Sequence, residues 1–314
     1  MLWGVCAYFN PCGWRTRLRN YQQFQNALGI PLITVELAYG HGFELARGDA
    51  DELIQLRGRD VMWQKERLLN IALEALPASC TAVAWLDADV IFDNDQWWRD
   101  TLDALDRFSF VQPFARCTNL TADGRPPAPG KRLTFEAMSS RYAQGTLPAD
   151  YFDGPGASRR FQIAPGKAWA GRREILDRHG FYDRAIIGSA DRFMLQAMAG
   201  RMEEIIGYYE LNERRADHYR RWAAAFHAET AGSIGHVPGH IQHLWHGDIA
   251  DRAYTSRHAA FARIDFDPVN DIAINAEGCF EWASDKPDLH AFVWDYLQSR
   301  REDGLPQAPQ AIAS

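Results

Sequence analysis

The segment Ala82-Val83-Ala84-Trp85-Leu86-Asp87-Ala88-Asp89-Val90-Ile91-Phe92 sets two carboxylates inside an otherwise apolar run. Short apolar runs rich in Val, Ile and aromatic residues form interior strands. Side chains alternate along a strand, so an extended backbone puts Asp87 and Asp89 on the same side. Two carboxylates there repel each other and are costly to desolvate. A hard cation relieves the cost: Mg²⁺ or Mn²⁺ takes oxygen ligands and commonly joins one or two carboxylates to substrate phosphates. The expectation is a metal–diphosphate site, and a turn at a strand end is its competitor. Asp-x-Asp recurs at 49/51, 93/95 and 265/267, but only the 87/89 pair is enclosed by apolar sequence on both sides.

The flanking sequence tells what kind of sheet holds this strand. Residues 3–9 read as a strand ending at the loop signal Asn10-Pro11-Cys12-Gly13. A helical period follows from Trp14 to Leu28 and stops at Gly29, and 31–37 reads as a second strand. Strand, helix and strand in about 35 residues make a βαβ unit, so the sheet is expected to be mostly parallel and flanked by helices. Residues 38–59 read as a loop with short pieces of structure. Asp60 is expected to cap a helix over 61–76, and 97–108 reads as a helix before a strand at 109–114. The stretch 118–160 reads as one long functional loop. Helices are expected at 172–179, 190–199 (capped by Ser189), 213–229, 249–263 and 287–301, with strands at 203–209 and 235–246. One domain over 1–303 and a disordered tail over 304–314 complete the expectation.

Composition narrows the class. A net charge of −7 with no basic stripe argues against nucleic-acid binding. Eleven tryptophans favour carbohydrate only slightly, because Trp serves cores equally well. Five cysteines without CxxC spacing point to reduced thiols, with a Cys6–Cys12 disulfide as the alternative. No basic region precedes the first strand and no apolar run reaches membrane-span length, so a soluble, cytoplasmic protein is expected.

Ligands of open α/β sheets bind beyond the carboxyl ends of the strands. That rule gathers the loops after Phe9, after Leu37 and at Asp87. Arg15, Arg17 and Arg19 follow the first strand at a helix start, a position suited to phosphate, although a solvated helix face explains Arg19 as well. Glu36, at the end of the second strand, could accept hydrogen bonds from a ribose or base. Four histidines crowd into 236–246, where zinc is the obvious alternative ion. HExxH is missing, and Pro238 and the glycines oppose a helix. In a strand, His240, Gln242, Leu244 and His246 share one face, while Ile241, His243 and Trp245 share the other. One of these histidines is expected to complete an Asp–Asp–His coordination sphere. Asp191, in the first turn of its helix, suits either the helix dipole or a general base.

In order and spacing these segments resemble the GT-A-type glycosyltransferases. The likeness is to the family-2-like enzymes and their polypeptide N-acetylgalactosaminyltransferase and β-galactosyltransferase relatives, over roughly residues 3–260. Phe9-Asn10-Pro11-Cys12-Gly13-Trp14-Arg15-Thr16-Arg17 resembles the first loop that receives the nucleotide, and Trp63 to Ala72 the helix with a Lys-to-Asn stretch, here Lys65 to Asn70. Leu86-Asp87-Ala88-Asp89 is similar to the family's DxD. Gly180-Phe181-Tyr182-Asp183 with Gly188-Ser189-Ala190-Asp191 resembles the segment whose last acid is the base of inverting members, with Ala190 in place of Glu and Ser189 in place of Gly. Leu244-Trp245-His246 resembles the late strand that supplies a metal histidine.

The resemblance implies a GT-A (Rossmann-like) fold and transfer from a nucleotide sugar, expected to be UDP-linked, to a sugar or other hydroxyl acceptor. Mn²⁺ or Mg²⁺ would be held by Asp87, Asp89 and His246. Phe9, Asn10, Arg15, Arg17, Glu36, Lys65, Asp87 and Arg252 are the expected donor residues. Asp191 is the expected base and Trp169 the acceptor platform. A nucleotidyltransferase of similar fold and a non-enzymatic carbohydrate-binding protein are the rivals. The first usually carries a Gly-rich phosphate loop near the N-terminus, where this chain has Gly13 alone.

Overall fold

Leu2–Phe9 (β1) runs parallel to Leu32–Tyr39 (β2) on one side and to Ala82–Leu86 (β4) on the other, and these are the three strands richest in buried apolar residues. The computed structural model describes residues 1–40, 42–152, 157–254 and 256–304. Glu52–Gly58 (β3) extends the sheet beyond β2; Phe110–Gln112 (β6), Ala168–Arg172 (β10) and Ile234–His236 (β11) extend it beyond β4. The order is β11-β6-β10-β4-β1-β2-β3, with β10 antiparallel to both its neighbours and the other pairings parallel. This is the mostly parallel, helix-flanked sheet expected from the sequence.

Helices Arg15–Ala27 (α1), Lys65–Glu74 (α2) and Trp97–Leu105 (α3) follow β1, β3 and the short strand Val90–Phe92 (β5). A second sheet, β5-β12-β7-β8-β9, is built with Arg116–Asn119 (β7), Thr134–Ala137 (β8), Ile163–Ala164 (β9) and His240–His243 (β12). Met138–Ala143 (α4) and Ala157–Phe161 (α5) lie between its strands, followed by Arg173–His179 (α6), Ala190–Met198 (α7), Met202–Tyr208 (α8) and Glu213–Thr230 (α9). Ser256–Phe261 (α10), the two-stranded sheet Ile272–Ile274 (β13) and Phe280–Trp282 (β14), and Pro287–Ser299 (α11) end the chain. α11 closes a separate apolar cluster around Phe261, Phe266, Phe280 and Val293.

Several local expectations give way to packing. Residues 203–209 form helix α8 rather than a strand, because Ile205 is buried between α7 and α9 and helical geometry delivers it there. The expected loop 38–59 contains the edge strand β3, whose alternating exposed residues hide its strand character. The expected loop 118–160 holds β8 and α4, and β10 precedes α6. Helix α2 starts at Lys65, not at Asp60, whose carboxylate instead accepts the Trp282 N–H at 2.9 Å. All five cysteines are free. No described helix is long and apolar enough to cross a membrane. Of the expected tail, residues 305–314 lie outside the described residues.

Candidate active site

The Asp-Ala-Asp segment is a turn, not extended strand. The chain leaves the central sheet at Leu86, turns through Asp87-Ala88-Asp89, and enters the second sheet at Val90. The turn breaks the period of two, so the carboxylates take separate partners. Asp87 accepts from Lys65 Nζ at 2.6 Å. Asp89 faces two histidines instead, with Oδ1 3.2 Å from His243 Nε2 and Oδ2 3.1 Å from His246 Nε2. The two Nε2 atoms are 3.2 Å apart. Of the expected Asp87–Asp89–His246 set, the structure brings Asp89 and His246 together with His243, their ligand atoms within 4.8 Å of one another, while Asp87 is taken by Lys65; among the described residues these three form a group that could hold a metal ion.

Both candidate histidines arrive because β12 ends at His243. Pairing of His243 with Val90 lays one imidazole beside the turn, and the Leu244 N–H, bonded to Asp89 O at 2.8 Å, redirects the chain. His246 then reaches the same carboxylate. His240 bonds Asp93 at 2.6 Å and Thr118 at 2.8 Å; it lies outside the cluster.

The donor set suits a cation. Burial pushes both imidazoles down, His246 to about 3 with help from Arg252, so they offer neutral nitrogens at pH 7. Asp89 Oδ1 is buried with no well-aligned hydrogen bond, His243 Nε2 standing 3.2 Å away, an arrangement that leaves this oxygen able to ligate an ion.

Asp191 sits in the first turn of α7, behind Ser189 with φ of 75°. Its Oδ1 is 3.5 Å from Lys65 Nζ, so Lys65 joins two carboxylates from different elements. A Cβ at Gly166 would stand 2.4 Å from Asp191 Oδ2, so only glycine leaves room for that carboxylate. Burial raises the Asp191 pKa despite Lys65, a direction that favours proton acceptance.

Phe9, Arg17, Lys65, Asp87, Asp89, Asp191, His246 and Arg252 line one pocket. Arg252 donates to His246 O at 2.6 Å. Four other expected site residues lie elsewhere. Arg15 is exposed and off the pocket, while Asn10 is spent on the turn, accepting from Trp14 N at 2.9 Å. Glu36 is buried, its oxygens taken by Glu44 N, Leu45 N and Gln55 Nε2. Trp169 is a core residue, 2% exposed, stacked on Trp85 and donating to Pro165 O at 2.9 Å, which leaves no face for an acceptor.

The pocket also holds Arg257, which follows Arg252 in the segment after His246, and three residues that the sequence does not announce: Lys167, Arg300 and Glu302. Lys167 has φ of 86°, and its carbonyl accepts the Asp87 N–H at 2.9 Å, which pins the turn to the start of β10. The single sequence signal for it is its place after Gly166. Arg252 and Arg257 are both 5% exposed with buried Nε atoms lacking acceptors. Such donors favour an anionic ligand.

Glu66, next to Lys65, is buried and has its pKa pushed up to about 8, chiefly by desolvation. An unfolded chain ionises this carboxyl near 4.5, so stability falls as pH rises from there towards 8. Glu66→Gln is expected to raise stability at pH 8 by on the order of 1 kcal/mol or more, with the gain shrinking at pH 5. Thermal melts of both proteins at the two pH values check this.

No family model matches the sequence, and no curated protein matches it. Among solved structures, the chain is similar to glucosyl-3-phosphoglycerate synthase from Mycobacterium tuberculosis in complex with Mn²⁺, UDP and glucosyl-3-phosphoglycerate: 12% identity over 90% of this chain and 86% of that one, TM-score 0.44. It is also similar to S. aureus TarS 1-349 in complex with UDP-GlcNAc, at 11% identity over 66% of this chain and 54% of that one, TM-score 0.34. A third likeness is to 4-diphosphocytidyl-2C-methyl-D-erythritol synthase from Anaerococcus prevotii, at 10% identity over 76% of this chain and 87% of that one, TM-score 0.31.

Proposed function

We propose that this pocket binds a nucleoside diphosphate sugar together with a divalent cation and transfers the sugar to a hydroxyl acceptor. The observation that carries the proposal is the meeting, in one pocket, of the Asp89–His243–His246 ligand cluster, the Lys65-held Asp191 carboxylate and a wall of cationic side chains. A cation bound by Asp89, His243 and His246 would neutralise charge on the departing diphosphate. Arg17, Lys167, Arg252 and Arg257 supply further positive charge there. Phe9 and Trp63, 5.3 Å apart edge to face, form an apolar part of the pocket wall.

Asp191 is the proposed base. It takes the acceptor hydroxyl proton as the oxygen attacks the anomeric carbon, and the bond from that carbon to the diphosphate breaks. Direct displacement of this kind inverts the anomeric centre. Lys65 keeps Asp191 oriented, and holds Asp87 away from the cation.

The test is a thermal-shift series with UDP, GDP, ADP, CDP and the corresponding nucleoside triphosphates, each with and without Mn²⁺. Metal-dependent stabilisation by one diphosphate is expected, about 2.7 kcal/mol at 100 times its dissociation constant; UDP is the first choice. Stabilisation by nucleoside triphosphates alone would point to nucleotidyl transfer instead. No metal-dependent effect from any nucleotide would overturn the proposal.

A further inference from the structure

The carboxylate that ties the pocket together comes from beyond the last helix. Glu302, three residues past α11, is 1% exposed and lines the pocket. It accepts from Arg17 through Nε at 2.6 Å and Nη2 at 2.9 Å, and from Arg300 Nε at 2.6 Å. Its Oε2 also stands 3.8 Å from His246 Nδ1, a charge contact longer than a hydrogen bond, at the ring nitrogen that does not face Asp89. One carboxylate therefore meets groups from α1, from the segment after β12 and from the chain after α11.

The backbone around it is built for this placement. The Asp303 carboxylate accepts the Arg15 and Thr16 N–H groups at 3.0 and 2.8 Å, supplying the α1 cap that Trp14 lacks. Gly247 has φ of 92°, and a Cβ there would stand 2.7 Å from Arg301 O and 3.0 Å from Glu302 Cα. The absence of a side chain at 247 is what lets the C-terminal segment lie against the loop that follows His246.

A histidine that binds metal through one ring nitrogen commonly offers the other N–H to a carboxylate, which fixes its tautomer and orientation. We propose that Glu302 is a positioning residue of the cation site: it holds His246 with Nε2 turned to Asp89 and, through the same carboxylate, fixes Arg17 and Arg300 at the pocket wall. The proposal rests on the cation reading above. It makes the segment 300–303 part of the active site rather than a trailing end.

The test uses the full chain with Mn²⁺ alone. Glu302→Gln keeps the side-chain shape and an oxygen acceptor for the arginines, but loses the charge facing Nδ1. Mn²⁺ affinity, read from free Mn²⁺ by electron paramagnetic resonance, is expected to fall about 10–100-fold. The visible spectrum of the Co²⁺-loaded protein is expected to change, a readout that a purely structural ion pair would leave alone. In a His246→Ala background the same substitution should have little further effect on Mn²⁺ affinity. Should Glu302→Gln fail to fold, Glu302→Asp, which keeps the charge but withdraws it by one methylene, is expected to weaken Mn²⁺ binding to a smaller degree. Wild-type Mn²⁺ affinity and Co²⁺ spectrum in the folded variant would overturn the role of Glu302. Absence of Mn²⁺ binding by the wild-type protein would overturn the cation reading itself.

Discussion

Asp89→Asn is expected to abolish Mn²⁺ binding while the protein still folds. Asp89 is the anionic member of the three-ligand cluster, and the buried imidazoles of His243 and His246 are held neutral. Removing its charge leaves two neutral nitrogens facing a divalent ion, beside the positive charge of Lys167. Loss of a partner one shell further out typically costs about 10–100-fold in metal affinity, so loss of this ligand should exceed that range. The Leu244 N–H bonds the Asp89 main-chain oxygen, so the turn that aligns His243 and His246 is kept. Asp87→Asn should behave differently. Its carboxylate is bonded to Lys65, so the variant should retain most Mn²⁺ affinity. Mn²⁺ titrations of the two variants side by side decide the matter. Equal losses would return Asp87 to the ligand set; retained binding in Asp89→Asn would remove the cluster from the site.

Asp191→Asn separates catalysis from helix capping. A partly buried first-turn acid such as Asp191 contributes up to about 2 kcal/mol through the helix dipole, so a purely structural Asp191 predicts a stability loss of that order and near-normal turnover. As the general base, its replacement should slow transfer by on the order of 10²–10⁴-fold, with donor and Mn²⁺ binding intact. A pH profile adds a second check. Burial raises the Asp191 pKa, and the base must be ionised, so activity is present above that pKa and lost as pH falls through it. The acidic limb should disappear from the residual activity of Asp191→Asn. Near-normal turnover, or an unchanged limb, would leave Asp191 as a helix-start residue.

Local sequence marked the central part of this architecture. The apolar runs read as strands over 3–9, 31–37 and from 82 are short, rich in β-branched and aromatic residues and bounded by turn signals, and they form the buried strands β1, β2 and β4. The enclosure of Asp87 and Asp89 by such a run marked the site, since a sequence gains nothing by burying two carboxylates without a partner for them. Asp191 was marked by its place in the first turn of a periodic helix after Gly188-Ser189-Ala190, a position that suits either the helix dipole or a base.

What the sequence could not carry is which groups meet. The exit of the chain from one sheet into another at Asp87-Ala88-Asp89 gave Asp87 to Lys65 and Asp89 to the histidines. A strict alternation in β12 would have admitted either His243 or His246; the end of the strand admits both. Trp169 and Glu36 carry side chains suited to ligands, yet the neighbours that bury them belong to other strands and loops. The last residues of the described chain are the plainest case. Trp14 cannot cap α1, and nothing near it in sequence does, so the cap comes from Asp303. Glu302 sits 285 residues from the Arg17 it binds. Periodicity and propensity act over a few residues, which is enough to choose strands and helices. Pairing of charges across such a separation depends on the assembled sheet, and that is where tertiary structure alone decided the site.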